Sequence, residues 1–158
     1  MKLLNFFCLF SALLFAEEIE VTAKQFYADE NARRAILTGS VVVTKGKDVL
    51  RGEKMIILFT SDRQVSRFES SGDASFSATL EKPDSKYEGE ADELVYLPGK
   101  GEYTLKGRAW VEDLTNKRKV IGDHIVFNEQ TRIAKVSGQD SAPVKLIFTI
   151  KDRNDTKP

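Results

Sequence analysis

Short apolar runs alternate with polar residues along most of this chain. Leu37, Val41 and Val43 alternate with Thr38, Val42 and Thr44. Phe68, Phe76 and Leu80 sit among serines and acids. Val144, Leu146, Phe148 and Ile150 alternate with Lys145, Ile147, Thr149 and Lys151. A period of two is the mark of half-buried strands, and the valines, isoleucines, threonines and aromatics suit a pleated surface. No window carries a helical stripe. Residues 28–36, beginning Ala28-Asp29-Glu30-Asn31, read as a loop. The pattern predicts an all-β chain.

Glycines organise the strands. Of ten, three lie in turns: Gly46, Gly99 and Gly101. The other seven are Gly39, Gly52, Gly72, Gly89, Gly107, Gly122 and Gly138, and turn signals fall between them. A glycine within a strand marks a bulge or a corner. Each segment is therefore expected to bend at its middle glycine, and the stacked segments to form a meander folded into two leaves. Like-facing glycines 39, 72, 107 and 138 recur every 31 to 35 residues, the spacing of a repeat architecture.

The N-terminus departs from this pattern. Lys2 precedes an apolar run from Leu3 to Phe15, and Ala16 stands before Glu17-Glu18. That is the layout of a signal peptide, and the run is shorter than the roughly 20 residues that span a membrane. Cleavage after Ala16 is expected, giving a signal at 1–16, one domain at 17–151 and a polar tail at 152–158. Cys8, the only cysteine, would leave with the signal. Phe7 before it does not suit lipidation.

Composition then narrows the function. Lysine plus arginine equal aspartate plus glutamate at 24 each, so no overall basic field is present to hold nucleic acid. One histidine and one cysteine argue against a metal site, and no catalytic motif or nucleotide loop appears. No cofactor and no enzyme activity are expected. Exported strands with an apolar interior fit a binding or carrier protein.

Two half-motifs repeat. Ala-Ile-Leu-Thr-Gly-Ser-Val-Val-Val (35–43) is echoed at 68–76 and 103–111. Gly-Glu-Lys-Met-Ile-Ile (52–57) is echoed at 89–96 and 122–127. The Leu-x-Gly-x-Val-x-Val and Gly-x-Ala-Asp-x-Leu-x-Tyr patterns at 37–43 and 89–96 resemble the OstA-like repeat of the lipopolysaccharide transport proteins, as found in LptA, LptC and the N-terminal domain of LptD. The likeness spans roughly residues 18 to 150. The family's Ala-Asp pair reads here as Ala23-Lys24 in the first copy and His124-Ile125 in the third, so the acidic position is not kept. Size, signal and a single domain point within the family to the LptA-like branch.

The resemblance implies a periplasmic bridge. Such proteins carry lipopolysaccharide from an inner-membrane export complex to an outer-membrane translocon, with acyl chains inside an open, V-shaped β-jellyroll (a β-taco). It also implies LptC-like and LptD-like partners joined by edge-strand pairing, and a head-to-tail homo-oligomer. Parity along the strands nominates a lipid-facing interior of Phe26, Leu37, Val41, Val43, Met55, Ile57, Phe59, Phe76, Leu94, Tyr96, Leu105, Val111, Ile125 and Phe127, with Leu50, Phe68, Tyr87 and Val120 beside them. Ile19, Val21, Val144, Leu146 and Phe148 mark the edge strands, at Ile19 to Phe26 and Val144 to Ile150. Exposed edges invite pairing with another chain. His124, the acids at 88–93 and the basic group Lys45, Lys47, Arg51 and Lys54 read as a solvated outer face, and Trp110 as an outward aromatic. The alternatives are a secreted β-repeat module that binds polysaccharide or serves as a scaffold, and an LptC-like member of the same family.

Overall fold

The computed structural model describes residues 18–81 and 84–151. The expected signal at 1–16 and tail at 152–158 lie outside the described residues. Ten strands follow one another: β1 (Ile19–Thr22), β2 (Gln25–Asp29), β3 (Arg34–Lys45), β4 (Asp48–Phe59), β5 (Val65–Leu80), β6 (Ser85–Leu97), β7 (Glu102–Asp113), β8 (Arg118–Asn128), β9 (Ile133–Ser137) and β10 (Lys145–Phe148). They form one antiparallel sheet in which β3 to β8 pair in chain order. The first edge of β3 is covered by β2 on one half and β1 on the other. The free edge of β8 is likewise shared by β9 and β10. No pair joins the first rung to the last, so the sheet stays open. The expected loop at 28–36 shrinks to a tight turn, because Ala28 and Asp29 end β2 and Arg34 already begins β3.

The sheet folds along a line of corners. At each corner an odd-numbered long strand places two left-handed residues against a single residue of the next strand. Gly39-Ser40 (φ 84° and 48°), Gly72-Asp73 (71° and 48°) and Gly107-Arg108 (79° and 47°) are these pairs. They face Glu53, Asp92 and Asp123, where the register slips between Thr38/Val41, Ser71/Ala74 and Lys106/Ala109. The two-against-one count is a β-bulge, and glycine supplies the first positive φ without a β-carbon clash. The corner side chain of the preceding strand fills the space each glycine leaves: Lys24 at Gly39, Glu53 at Gly72 and Asp92 at Gly107, where an added β-carbon would collide with it. Arg108 then closes over Asp92 at 2.5 Å and holds that carboxyl below the usual carboxylate range.

These registers correct the sequence alignment. Gly52-Glu53, Ala91-Asp92 and Gly122-Asp123 occupy equivalent corner positions, with Ala23-Lys24 as the fourth. The acidic position is therefore present in three of the four copies, and the last copy is Gly122-Asp123 rather than His124-Ile125. Gly89 is not a corner: it lies on the inner face of β6, where a β-carbon would collide with the Phe76 ring. Gly138 is not within a strand either. It stands between β9 and β10, where the last rung crosses the corner through an irregular segment.

One leaf, here leaf I, holds the halves at 25–29, 34–38, 54–59, 65–71, 93–97, 102–106, 124–128 and 133–137. Leaf II holds β1, β10 and the other half of each long strand. The buried core lies between them, and each fully buried aliphatic or aromatic side chain contributes about 1.5–3 kcal/mol.

Candidate functional site

Inner faces of the two leaves form a slot. Crossing a corner, inward positions are spaced by four on odd strands (Leu37 to Val41, Leu105 to Ala109) and by three on even ones (Gly52 to Met55, Gly122 to Ile125). The bulge thus keeps parity on one strand and shifts it on its partner. Of the nominated interior, Leu37, Val41, Val43, Met55, Ile57, Phe76, Leu94, Leu105, Val111, Ile125 and Phe127 are buried together. Phe59, Tyr96 and Val120 are partly buried against them, and Leu50, Phe68 and Tyr87 are buried as well. Phe26 differs, at 67% exposed. It pairs with Leu37 and so faces inward, but no further strand covers it.

Two parts of the slot contrast. Over β5 to β8, rings from both leaves interlock. Phe76 of leaf II stacks on Tyr103 of leaf I at 4.3 Å, and Tyr87 packs on Phe127 at 4.9 Å. Tyr103 also stacks on Tyr96 at 4.4 Å. Ala74, Ala78, Ala91 and Ala109 are buried around them and let the leaves approach. From β1 to the start of β5 the leaves part toward the lip of leaf I around a cavity of about 1030 Å³. Val21, Phe26, Leu37, Ile57, Phe59, Val65 and Phe68 line it.

Polar groups bridge the closed part. Arg132, in the β8–β9 turn of leaf I, donates to Ser85 Oγ at 2.9 Å and to the Glu81 carbonyl at 3.1 Å on leaf II. Tyr96 donates its hydroxyl to Glu129 Oε1 at 3.3 Å. Burial, then the nearby Asp48 charge, push the Glu129 carboxyl above its usual range, while Tyr96, Lys45 and Tyr103 partly offset them. Burial likewise raises Tyr96 and Tyr103 well above the ordinary phenol range, with Glu129 adding to it. Asp113 runs the other way. Its burial disfavours charge, but hydrogen bonds from Asn116 and Arg118 outweigh that and hold it low.

The remaining nominated features fall outside the slot. Trp110 lies on the outer face, donates to Glu90 at 3.3 Å and carries Lys119 Nζ at 4.1 Å over its ring. His124 pairs with Lys106 on the same side of leaf I, beyond the core. Lys86 reaches Glu88 at 3.7 Å and Arg108 holds Asp92, so these two acids are engaged by neighbouring cations and Glu90 by the Trp110 N–H. Lys45 stands near enough to Glu129 for its charge to favour the ionised carboxyl. Among the described residues no group of His, Cys, Asp and Glu is placed to hold a metal. Tyr103 was missed by sequence reasoning, although its parity with Leu105 marks it as inward. The Arg132 and Glu129 contacts had no sequence signal, since they join residues 47 and 33 positions from their partners.

Both ends are open edges. Phe26 and Tyr27 on β2, and Leu146, Ile147 and Phe148 on β10, are exposed. Expected terminal strands differ in detail: the first is two strands, β1 and β2, because Lys24 turns the corner over Gly39. Val144 precedes β10 rather than belonging to it.

Comparison with known proteins accords with this architecture. Among curated proteins none matches the chain in sequence. A solved structure, LptH of Pseudomonas aeruginosa, described as the LptA homologous periplasmic component of the conserved lipopolysaccharide transport device, superposes with a TM-score of 0.75. It is 19% identical, and the match covers 85% of this chain and 96% of that one, which establishes a shared fold. Residues 20–133 match the family described as LptA/(LptD N-terminal domain) LPS transport protein. With most of the folded sheet inside that match, the chain belongs to this family of lipopolysaccharide transport proteins.

Proposed function

We propose that this chain is a periplasmic carrier that passes lipopolysaccharide from an inner-membrane export complex toward an outer-membrane translocon, with acyl chains held between the leaves. The observation that carries this reading is the cavity of about 1030 Å³ between β1 and the start of β5. Aliphatic and aromatic side chains line its floor and charged residues its open lip, which suits hydrocarbon below a polar head. The exposed edges at β1–β2 and β9–β10 support joining to LptC-like and LptD-like partners, or to further copies, by strand addition. Export by an N-terminal signal at 1–16 belongs to the same proposal.

Photocrosslinking in cells tests it. A photoreactive residue replaces Ile57 or Phe59 in the slot, or Glu93 on the outer face. Adducts with lipopolysaccharide are expected at the first two positions and not at Glu93. Absence of adducts at Ile57 and Phe59 in folded, exported protein would overturn lipid carriage and favour a β-repeat scaffold.

A further inference from the structure

Hairpins on the lip of leaf I share an unusual ending. Each of the four closes on a residue in the left-handed conformation: Arg33 (φ 52°), Arg63 (φ 63°), Gly101 (φ 60°) and Arg132 (φ 59°); on leaf II, Gly46 (φ 59°) and Lys117 (φ 53°) end hairpins in the same way, away from the cavity. Backbone N–H groups of the three arginines complete their turns, donating to the carbonyls of Glu30, Thr60 and Asn128. Glycine is the residue that takes this conformation freely, and arginine is not among the types enriched there.

Arg132 is already engaged across the mouth by Ser85 and Glu81. Arg33 and Arg63 are placed differently. Both line the apolar cavity, together with Arg34. No ion pair engages any of the three among the described residues, whereas Arg67, Arg108 and Arg118 each hold a carboxylate. Nearby acids are Asp29 and Glu30 on the cavity wall and Asp62 beside Arg63. Asp29 accepts from the Ala32 N–H at 3.0 Å, and Asp62 accepts from the Ser61 hydroxyl at 3.1 Å. Leaf II contributes only uncharged residues to the cavity, among them Ile19, Val21 and Thr22. The cations of the cavity therefore stand on one lip.

From this arrangement we infer that Arg33 and Arg63 grip the phosphate of an acylated amphiphile whose chains occupy the cavity below. Neighbouring tips are two strands apart, about 9.6 Å at the usual strand spacing, a gap two arginine side chains span. Guanidinium groups hold phosphate through paired N–H bonds, a geometry lysine does not reproduce. The lip thereby fixes which way round the amphiphile lies. This inference rests on the proposed placement of acyl chains between the leaves.

The test uses the full chain, purified after export, with two probes: lipid A bearing its phosphates and the same lipid A with its phosphates removed. In the double variant Arg33→Gly/Arg63→Gly, affinity for the phosphorylated probe is expected to fall about tenfold or more, and affinity for the stripped probe to stay unchanged. The same variant is expected to melt at a higher temperature, because glycine relieves the left-handed strain. Arg33→Gln/Arg63→Gln keeps the strain and is expected to lose the same affinity; Arg67→Gln is expected to lose none. Equal affinities of variant and parent for the phosphorylated probe, or equal losses for both probes, would overturn the arginine site and leave the slot standing. If the parent chain binds neither probe, the slot reading falls and this site with it.

Discussion

Between β5 and β8 the facing leaves meet through rings, whereas from β1 to the start of β5 they part toward the lip around a cavity. Both regions are built from the same bent strand pair with the same two-against-one corner. The difference lies in what leaf II presents. In the closed part it offers Phe76 and Tyr87, which reach Tyr103 and Phe127. In the open part it offers Ile19 and Val21, too short to cross. Arg132 ties the lips only in the closed part. Corner geometry thus sets the slot, while side-chain length and one cross-lip contact decide where it is filled by protein and where space remains.

Substitutions divide along the same line. Phe127→Ala removes a ring 2% exposed and is expected to cost about 3–5 kcal/mol in urea unfolding. Phe59→Ala, at the open cavity, is expected to cost about 1 kcal/mol. Equal losses would mean that the two parts do not differ in packing.

The corner itself comes next. Gly107→Ala places a β-carbon at φ 79° and against Asp92, and about 2 kcal/mol of stability should be lost. Gly99→Ala meets nothing within 4 Å and is the control, expected within about 0.5 kcal/mol. A neutral Gly107→Ala would show that the bulge does not depend on glycine.

Glu129 sharpens the contrast through pH. Its folded-state pKa lies above the ordinary value of 4.5, so the folded chain keeps a proton that the unfolded chain has released in that window. Stability from this group therefore falls as pH rises through the window and is lowest above it. Glu129→Gln is expected to gain about 1 kcal/mol near pH 7, or roughly 2–4 °C in Tm. The gain should fade below pH 4.5, and a constant gain across pH would assign it to packing. The smallest effect is expected for Phe26→Ala, within about 0.5 kcal/mol, because Phe26 already faces solvent.

Much of this was legible in the chain. Period-two alternation found the strands, and the glycines at 39, 72 and 107 found the corners, because a positive φ leaves few other residues possible. The inner face followed from parity, with Phe26 as the position whose exposure parity does not disclose. Less legible were Gly89 and the acids. The spacing of 52, 89 and 122 suggested one kind of glycine, yet Gly89 makes room for the Phe76 ring while Ala91 holds the corner place. That offset hid the acidic position at Asp123. Contacts of Arg132 and Glu129 depend on which hairpin tips meet across the mouth, and local pattern carries no record of that.

The corner also governs how such a chain changes length. Because every odd strand spends two residues where its neighbour spends one, loss of Ser40 alone would invert the side chains on one arm of β3. Duplication of a whole strand pair would do no such harm. It would copy one corner with both arms, lengthen the slot by about 9.6 Å and leave every register intact. The length of the slot is, in this architecture, a quantity that grows in fixed steps.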